Sequence, residues 1–167
     1  MNTSRFRSVR EITGDARTRR GGRRARPLVE RNTFVIVSLG GDRMALPVEG
    51  VERVIRPFSS LPVILYEGRQ LPFADLARPL GRTLRLGEGD QRRVLVLTDG
   101  ERRWVVPVDA VHEVVAVETA LVLPVPVEHP DAHVAGVHGC FARQEYTIPV
   151  IDALGILSRT AAARART

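Results

Sequence analysis

The sequence predicts an all-β protein made of two small β-barrels in tandem, and three observations support this fold class. Residues 34–55 and 94–115 align without a gap at a spacing of sixty positions. Each copy has an apolar β-branched run, a polar turn containing glycine and a second apolar run, which is the pattern of a β-hairpin. The repeat continues in L-P-F-A-D-L at 71–76 and I-P-V-I-D-A at 148–153. Such a repeat indicates one supersecondary unit used twice, and about ten short strands with frequent turn signals predict small barrels.

The first half is predicted to hold five strands, followed by a helical turn. The strands are placed at 34–39, 44–48, 51–55, 63–66 and 70–75. Gly68 supplies the permissive backbone for the turn between the fourth and fifth strands. A helical turn at 76–80 ends at Pro79 and Gly81, and the polar segment 82–92 is interpreted as a linker.

The second half repeats this plan and ends in a helix. Strands are predicted at 94–97, 103–108, 111–117, 134–137 and 146–151, with GCFARQ (139–144) as the turn of the last hairpin. Residues 119–131 form a proline-broken extended segment. From Asp152 the pattern becomes helical and leads into SRTAAARA (158–165), a short C-terminal helix that is expected to fray into the basic tail at 158–167.

Charge is distributed unevenly along the chain. Residues 1–31 hold ten arginines against three acidic residues, a charge of +7, whereas residues 32–157 carry 12 arginines against 16 acidic residues, a charge of −4. The N-terminal segment is too poor in apolar residues to offset its ordering entropy, so it is predicted to be a disordered, Arg-rich tail. It is either a solvated tail or a contact for nucleic acid or another anionic surface. The candidate contact residues are Arg19, Arg20, Arg23 and Arg24.

Composition also restricts the cellular setting. No apolar run approaches the roughly 18 to 20 residues that span a bilayer, and the charged N-terminus lacks the apolar stretch of a secretory signal. The single cysteine, Cys140, excludes an internal disulfide and suits a reducing cytosol. A cytoplasmic location is therefore expected.

The residues that could act in catalysis or bind a metal do not form a credible catalytic set. His129, His133, His138 and Cys140 are possible zinc ligands, but Pro130 and Gly136 disrupt any helix that would place them on one face. Ordinary loop and strand roles are favoured for them, as turn capping is for Asp75 and Asp152. No catalytic residue, metal site or cofactor is predicted, and the valine- and leucine-rich body favours a binding module.

Several segments together resemble the CheW family, the coupling proteins of bacterial chemosensory arrays. They are FVIVSLGGDRMALPVEGVERVI, GRQLPFADL, RVLVL, VVPVDAVHEV and the closing VAGV and IPVIDALGIL, which span residues 32–157. The resemblance implies two SH3-like five-stranded barrels around a shared core. Subdomain one would comprise residues 32–81 plus C-terminal elements, and subdomain two residues 92–151. It also implies a non-enzymatic adaptor that links the cytoplasmic hairpin of a chemoreceptor to a CheA-type histidine kinase within receptor clusters.

Carried over by residue, the resemblance implies two interaction sites. A receptor-binding groove would be lined near Val51, Arg53, Val94 and Val111, and a kinase or receptor interface would lie at the hairpin containing Glu67 and Gly68.

The sequence also departs from the family pattern. A segment of about eight residues is missing after Pro62, Leu65 replaces an asparagine, and Glu67 and Arg53 reverse the charges usual at their positions. Because like charges exclude partners at interfaces, a divergent adaptor or an accessory protein that binds only receptor or only kinase is expected. A small-barrel nucleic-acid-binding protein that uses the tail is the alternative from another class.

Overall fold

The computed structural model describes residues 27–56, 64–85 and 93–166. Within these ranges the chain forms strands β1 (Arg31–Leu39), β2 (Asp42–Pro47), β3 (Val51–Ile55), β4 (Ile64–Tyr66), β5 (Arg69–Leu71), β6 (Arg93–Thr98), β7 (Arg103–Val108), β8 (Ala110–Glu118), β9 (Val137–Arg143) and β10 (Tyr146–Ile151), and helix α1 (Ala153–Arg164). Short 3₁₀ turns occupy Val48–Gly50, Arg78–Leu80 and Thr119–Leu121. The all-β class and the two repeated hairpins are confirmed.

In the described part of the chain the strands form three sheets, and the two larger ones combine strands from both sequence copies. The first sheet has the order β8-β1-β2-β10-β9, so the hairpin of the first copy lies among three strands of the second. In the other sheet β3 pairs with β6, which pairs with β7. A parallel bridge from Phe73 to Val105 brings the β4–β5 hairpin beside β7. Strand pairs therefore cross the boundary between the two sequence copies, which the tandem arrangement by itself did not indicate.

The exchange of strands is reciprocal, and the residue pairing is equivalent in the two ladders β1–β8 and β3–β6. Phe34 pairs with Val115, and the equivalent residues sixty positions away, Val94 and Ile55, also pair. A bulge interrupts both ladders at corresponding places, beside Glu52 in β3 and His112 in β8. The two halves are thus related by an approximate two-fold symmetry in which each copy supplies strands to the other's hairpin.

Both hairpins are buried on their two faces, which explains their uninterrupted apolar sequences. In β1, Val35, Val37 and Leu39 face a core shared with β6, β7 and α1, while Phe34 and Ile36 face a second cluster inside the first sheet. The stacked rings of Phe34 and Phe141 lie 5.4 Å apart in that second cluster. The shared core therefore holds the two sheets together.

Closed barrels are not confirmed. In the first sheet, Leu123 and Cys140 exchange two backbone hydrogen bonds of 2.8 Å, so the segment after β8 reaches the opposite edge at β9. This is a single bridge rather than a ladder. In the second sheet, the corresponding connection includes residues 57–63, which lie outside the described part.

Two further boundaries differ from the prediction. The predicted turn GCFARQ lies mostly inside β9, because Gly136 takes a φ of +96° that ends the preceding turn and the strand starts only at Val137. The helix that was predicted to fray within the basic segment 158–167 continues as far as Arg164. The alanines at 161–163 have the highest intrinsic helix propensity, which accounts for this extension.

Capping by the two repeated aspartates is confirmed. Asp75 Oδ1 accepts hydrogen bonds from the backbone N–H groups of Ala77 and Arg78, at 2.9 and 3.1 Å. Asp152 Oδ1 accepts one from Gly155 N at 2.9 Å and so caps α1. Each side chain satisfies donors that would otherwise be unpaired at the start of a helical turn.

Candidate interaction surfaces

A cavity of about 470 Å³, here called the α1 groove, opens where the two sheets meet the start of α1. It is lined by Leu46, Pro47, Glu49, Gly50, Val51, Leu97, Thr98, Asp99, Gly100, Asp152, Ala153 and Leu154. The apolar side chains of this set continue into the shared core, and three carboxylates stand among them, of which Asp99 is ion-paired with Arg102 at 2.9 Å. Hydrogen bonds from the backbone N–H and guanidinium of Arg102 hold the pKa of Asp99 below its usual range, so its carboxylate is charged at neutral pH.

Of the predicted receptor-groove residues, only Val51 lines the α1 groove. Val94 is buried, with 4% of its surface exposed. Val111 lies on β8 in the other sheet, where it packs against the shared core at the position equivalent to Val51. Arg53 is exposed on β3, and its guanidinium lies 5.8 Å from the centre of the Tyr66 ring. The four residues therefore do not form one continuous surface.

Glu67 and Gly68 form the turn between β4 and β5, as predicted. Both have positive φ, 49° and 75°, which the tight hairpin requires and which is unusual for glutamate. The turn borders a small cavity of about 280 Å³ lined by Tyr66, Glu67, Arg69, Leu71 and Arg103. Arg53 and Glu67 thus flank the same tyrosine and belong to one surface, here called the β4–β5 face.

An ordered polar network supports the β4–β5 face. Arg103 Nε donates to Glu52 Oε2 at 2.6 Å, and the Tyr66 hydroxyl donates to Glu52 Oε1 at 3.3 Å. The Arg103 hydrogen bond lowers the pKa of Glu52, while burial and the Glu52 charge raise the pKa of Tyr66. The face therefore keeps Glu52 charged and Tyr66 neutral at physiological pH.

The equivalent position on the other half also carries arginine contacts. Arg143 makes two hydrogen bonds to Glu113, at 3.2 and 2.7 Å, and the Arg43 guanidinium lies 4.1 Å from the Tyr146 ring centre. Arg43 and Arg103 are matched in the repeat, and this alignment was the one sequence signal for these networks. Their partners come from different strands and were not predicted.

A third cavity, of about 430 Å³, is polar and centres on Arg82. Arg82 Nη2 lies 2.6 Å from Asp131 Oδ1, Nε donates to Asp42 Oδ2 at 3.0 Å, and Nη1 donates to the Leu80 carbonyl at 2.7 Å. Asp131 is only 2% exposed. Sequence reasoning missed this ion pair, because 49 residues separate the two partners and neither lies in a recognisable motif.

The histidines and the cysteine considered as metal ligands are dispersed. His129 Nδ1 accepts a hydrogen bond from the backbone N–H of Asp131 at 3.2 Å, and the buried Cys140 thiol lies 3.7 Å from the Pro124 carbonyl. Within residues 27–56, 64–85 and 93–166, no group of three or more His, Cys, Asp or Glu side chains is placed to hold a metal ion. The four arginines proposed as a polyanion contact lie outside the described residues.

The molecule is a small β domain built on two interlocked sheets. Its distinctive features are surfaces: an apolar groove and two faces with arginine contacts. The CheW-like domain family matches residues 33–161. The chain belongs to this family, as its motifs predicted. No curated protein matched the chain.

A solved structure with a similar fold is the scaffolding protein TtCheW from Thermoanaerobacter tengcongensis. The TM-score is 0.62 at 23% sequence identity, and the match covers 77% of this chain and 88% of that one. In the described part of the chain, no helix is long and apolar enough to cross a membrane.

Proposed function

We propose that this protein is a non-enzymatic chemosensory scaffold of the cytoplasm, which couples a methyl-accepting chemoreceptor to a CheA-type histidine kinase in receptor clusters. The observation that carries this proposal is the match of a CheW-like domain to residues 33–161, nearly the whole of the folded body. The similarity of the fold to a CheW scaffolding protein supports it.

The α1 groove is the proposed receptor site. Val51, named by the family resemblance, lies in its wall, and the half-buried Leu154 supplies further apolar surface. A groove of this kind accepts the apolar face of an amphipathic helix, which is the form of a receptor hairpin. Val94 is not part of this proposal, because its side chain is buried.

The β4–β5 face is the proposed kinase-binding surface. Its two reversed charges are Arg53, on β3, and Glu67, in the β4–β5 turn, and both lie beside Tyr66. Because both charges on this face are reversed, the face can still pair with a partner whose facing charges are reversed as well. A partner with the usual charges would meet like charges at both positions and bind weakly.

A second candidate function follows from the same face. If no partner carries compensating charges, the protein is an accessory CheW-like scaffold that binds the receptor alone. The observation favouring this alternative is the closeness of the two reversed charges, since one mismatched partner would meet both.

The experiment is a pull-down of the tagged full-length chain from its own cell lysate, with mass spectrometry of the bound proteins. Recovery of both a chemoreceptor and a CheA-type kinase supports the coupling function. Recovery of the receptor alone supports the accessory function, and recovery of neither refutes both.

A variant with Arg53→Glu and Glu67→Arg should bind a kinase with the usual charges at least tenfold more tightly, and Glu145→Arg serves as the charge control away from this face. An unchanged affinity would contradict the role given to the two charges.

A further inference from the structure

The approximate symmetry of the fold relates the α1 groove to a second position that is filled. Gly100, in the wall of the groove, corresponds to Gly40 in the β1–β2 turn. A Cβ atom placed on Gly40 would lie 3.0 Å from the Arg82 side chain and 3.0 Å from the Thr83 carbonyl. One placed on Gly100 would have no atom of another described residue within 4 Å, its two chain neighbours aside. The first turn is therefore covered by residues 82–85, whereas no described residue covers its counterpart.

The two copies differ in the path of the chain that follows each capping aspartate. The sequences L-G-R-T (80–83) and L-S-R-T (157–160) occupy corresponding positions after Asp75 and Asp152. Gly81 adopts a left-handed conformation with a φ of 69°, which ends the 3₁₀ turn and directs 82–85 over the β1–β2 turn. Ser158 instead continues α1. In the second half, no described segment takes the course of residues 82–85.

Residues 82–85 show which chemistry this position accepts. Leu84 packs against the shared core between Arg82 and Arg85. The α1 groove offers apolar walls of the same kind and three carboxylates. Asp99 is already ion-paired with Arg102 at 2.9 Å and Asp152 accepts the hydrogen bond that caps α1, which leaves Glu49. Glu49 is exposed and makes no ion pair with another described residue. An extended segment with one apolar side chain between two arginines would satisfy both features.

We propose that the α1 groove binds Arg5-Phe6-Arg7 of the same chain, with Phe6 in the apolar wall and an arginine beside Glu49. These residues belong to the N-terminal segment 1–31, which carries +7 against −4 for residues 32–157. Arg7 lies twenty positions before Pro27, where the described chain starts. Fully extended, this stretch spans roughly 70 Å, several times the radius of gyration of about 14 Å expected for the body. Docking within one molecule is therefore within reach and is favoured by an effective concentration on the order of millimolar.

The consequence is regulatory. A receptor hairpin that enters the α1 groove has to displace the N-terminal segment, so removal of residues 1–26 should strengthen receptor binding. Only this consequence rests on the proposed function, because docking of the segment is a property of the isolated chain.

The experiment is paramagnetic relaxation enhancement on the full-length chain. A nitroxide attached to Asn2→Cys leaves Phe6 unchanged, and the buried Cys140, 6% exposed, should stay unlabelled, which mass spectrometry verifies. The expected result is selective loss of the amide signals of Gly50, Val51 and Gly100. Phe6→Ser should restore these signals, as should Glu49→Arg, whereas Glu145→Arg on the β9–β10 turn should not.

Each contrary result overturns the proposal. Loss of signals at the polar cavity around Arg82 would assign the segment to another surface, and loss of none would show that it does not dock. Mixing spin-labelled chain of natural isotopic composition with unlabelled ¹⁵N chain tests the intramolecular form, because broadening in that mixture would show docking between molecules. None of these results depends on a receptor, so failure here leaves the coupling function to be judged by its own pull-down.

Discussion

Replacing Arg82 with methionine should destabilise the fold far more than its partly exposed position suggests. The Arg82 side chain is 13% exposed and connects two carboxylates of very different burial, Asp131 at 2% and Asp42 at 63%. The Arg82–Asp131 pair is close, at 2.6 Å, but Asp131 Oδ1 has no aligned hydrogen bond, so the attraction is chiefly coulombic. Removing the guanidinium leaves the Asp131 charge buried without a partner.

Breaking a buried ion pair by removing one partner costs about 3–5 kcal/mol, whereas an exposed pair contributes about 0–1 kcal/mol. Arg82→Met is therefore expected to lower the free energy of unfolding by roughly 3–5 kcal/mol and Asp42→Asn by less than about 1 kcal/mol. For a chain of this length, a loss of about 4 kcal/mol corresponds to a decrease in Tm of about 8–16 °C.

The assay is urea denaturation followed by the fluorescence of Trp104, the single tryptophan, which is 6% exposed in the shared core. A second variant, Arg82→Met with Asp131→Asn, removes the unpaired charge and should recover part of the loss. An Arg82→Met loss equal to that of Asp42→Asn, with no recovery in the double variant, would refute the reasoning.

Three further predictions concern a helix cap, a histidine and the cysteine. Asp152→Ala removes the cap of α1 and should lower the free energy of unfolding by about 1 kcal/mol in urea, whereas the same change at the exposed Glu145, which caps nothing, should have little effect. Burial, with a contribution from Arg43, lowers the pKa of His112, whose Nε2 lies 2.6 Å from Ser38 Oγ. The unfolded chain therefore binds this proton first, so stability should fall as pH drops below about 6.5, and His112→Asn should weaken this dependence in denaturation at pH 5 and pH 8. Burial also raises the pKa of the Cys140 thiol, so alkylation at pH 8, measured by mass spectrometry, should be slow in the native protein and fast in urea; equal rates would contradict this.

Local features of the fold were predictable because short-range chemistry determines them. The hairpins around Gly40 and Gly68, the 3₁₀ turn before Gly81 and the two aspartate caps all depend on residues within a few positions of one another. The helical interpretation of SRTAAARA (158–165) agrees with the end of α1 at Arg164, and the alanines of this segment have high intrinsic helix propensity.

Sites were less predictable than elements. The family resemblance named Val51 and Glu67, which do lie beside cavities, but it also named Val94, which is buried by residues distant in sequence. The cluster formed by Arg53, Tyr66 and Arg103 was invisible because its members come from three strands.

By itself, the sequence determined that the chain is all-β, that one unit occurs twice and that both units belong to a CheW-like domain. Only the tertiary structure decided which strand pairs with which hairpin. The reason is that β3 and β8 have nearly the same apolar pattern and the same bulge position, so each is locally suited to either hairpin. Long-range packing around the shared core selects the exchanged pairing, and the different paths after Gly81 and Ser158 then leave one of two equivalent positions open as the α1 groove.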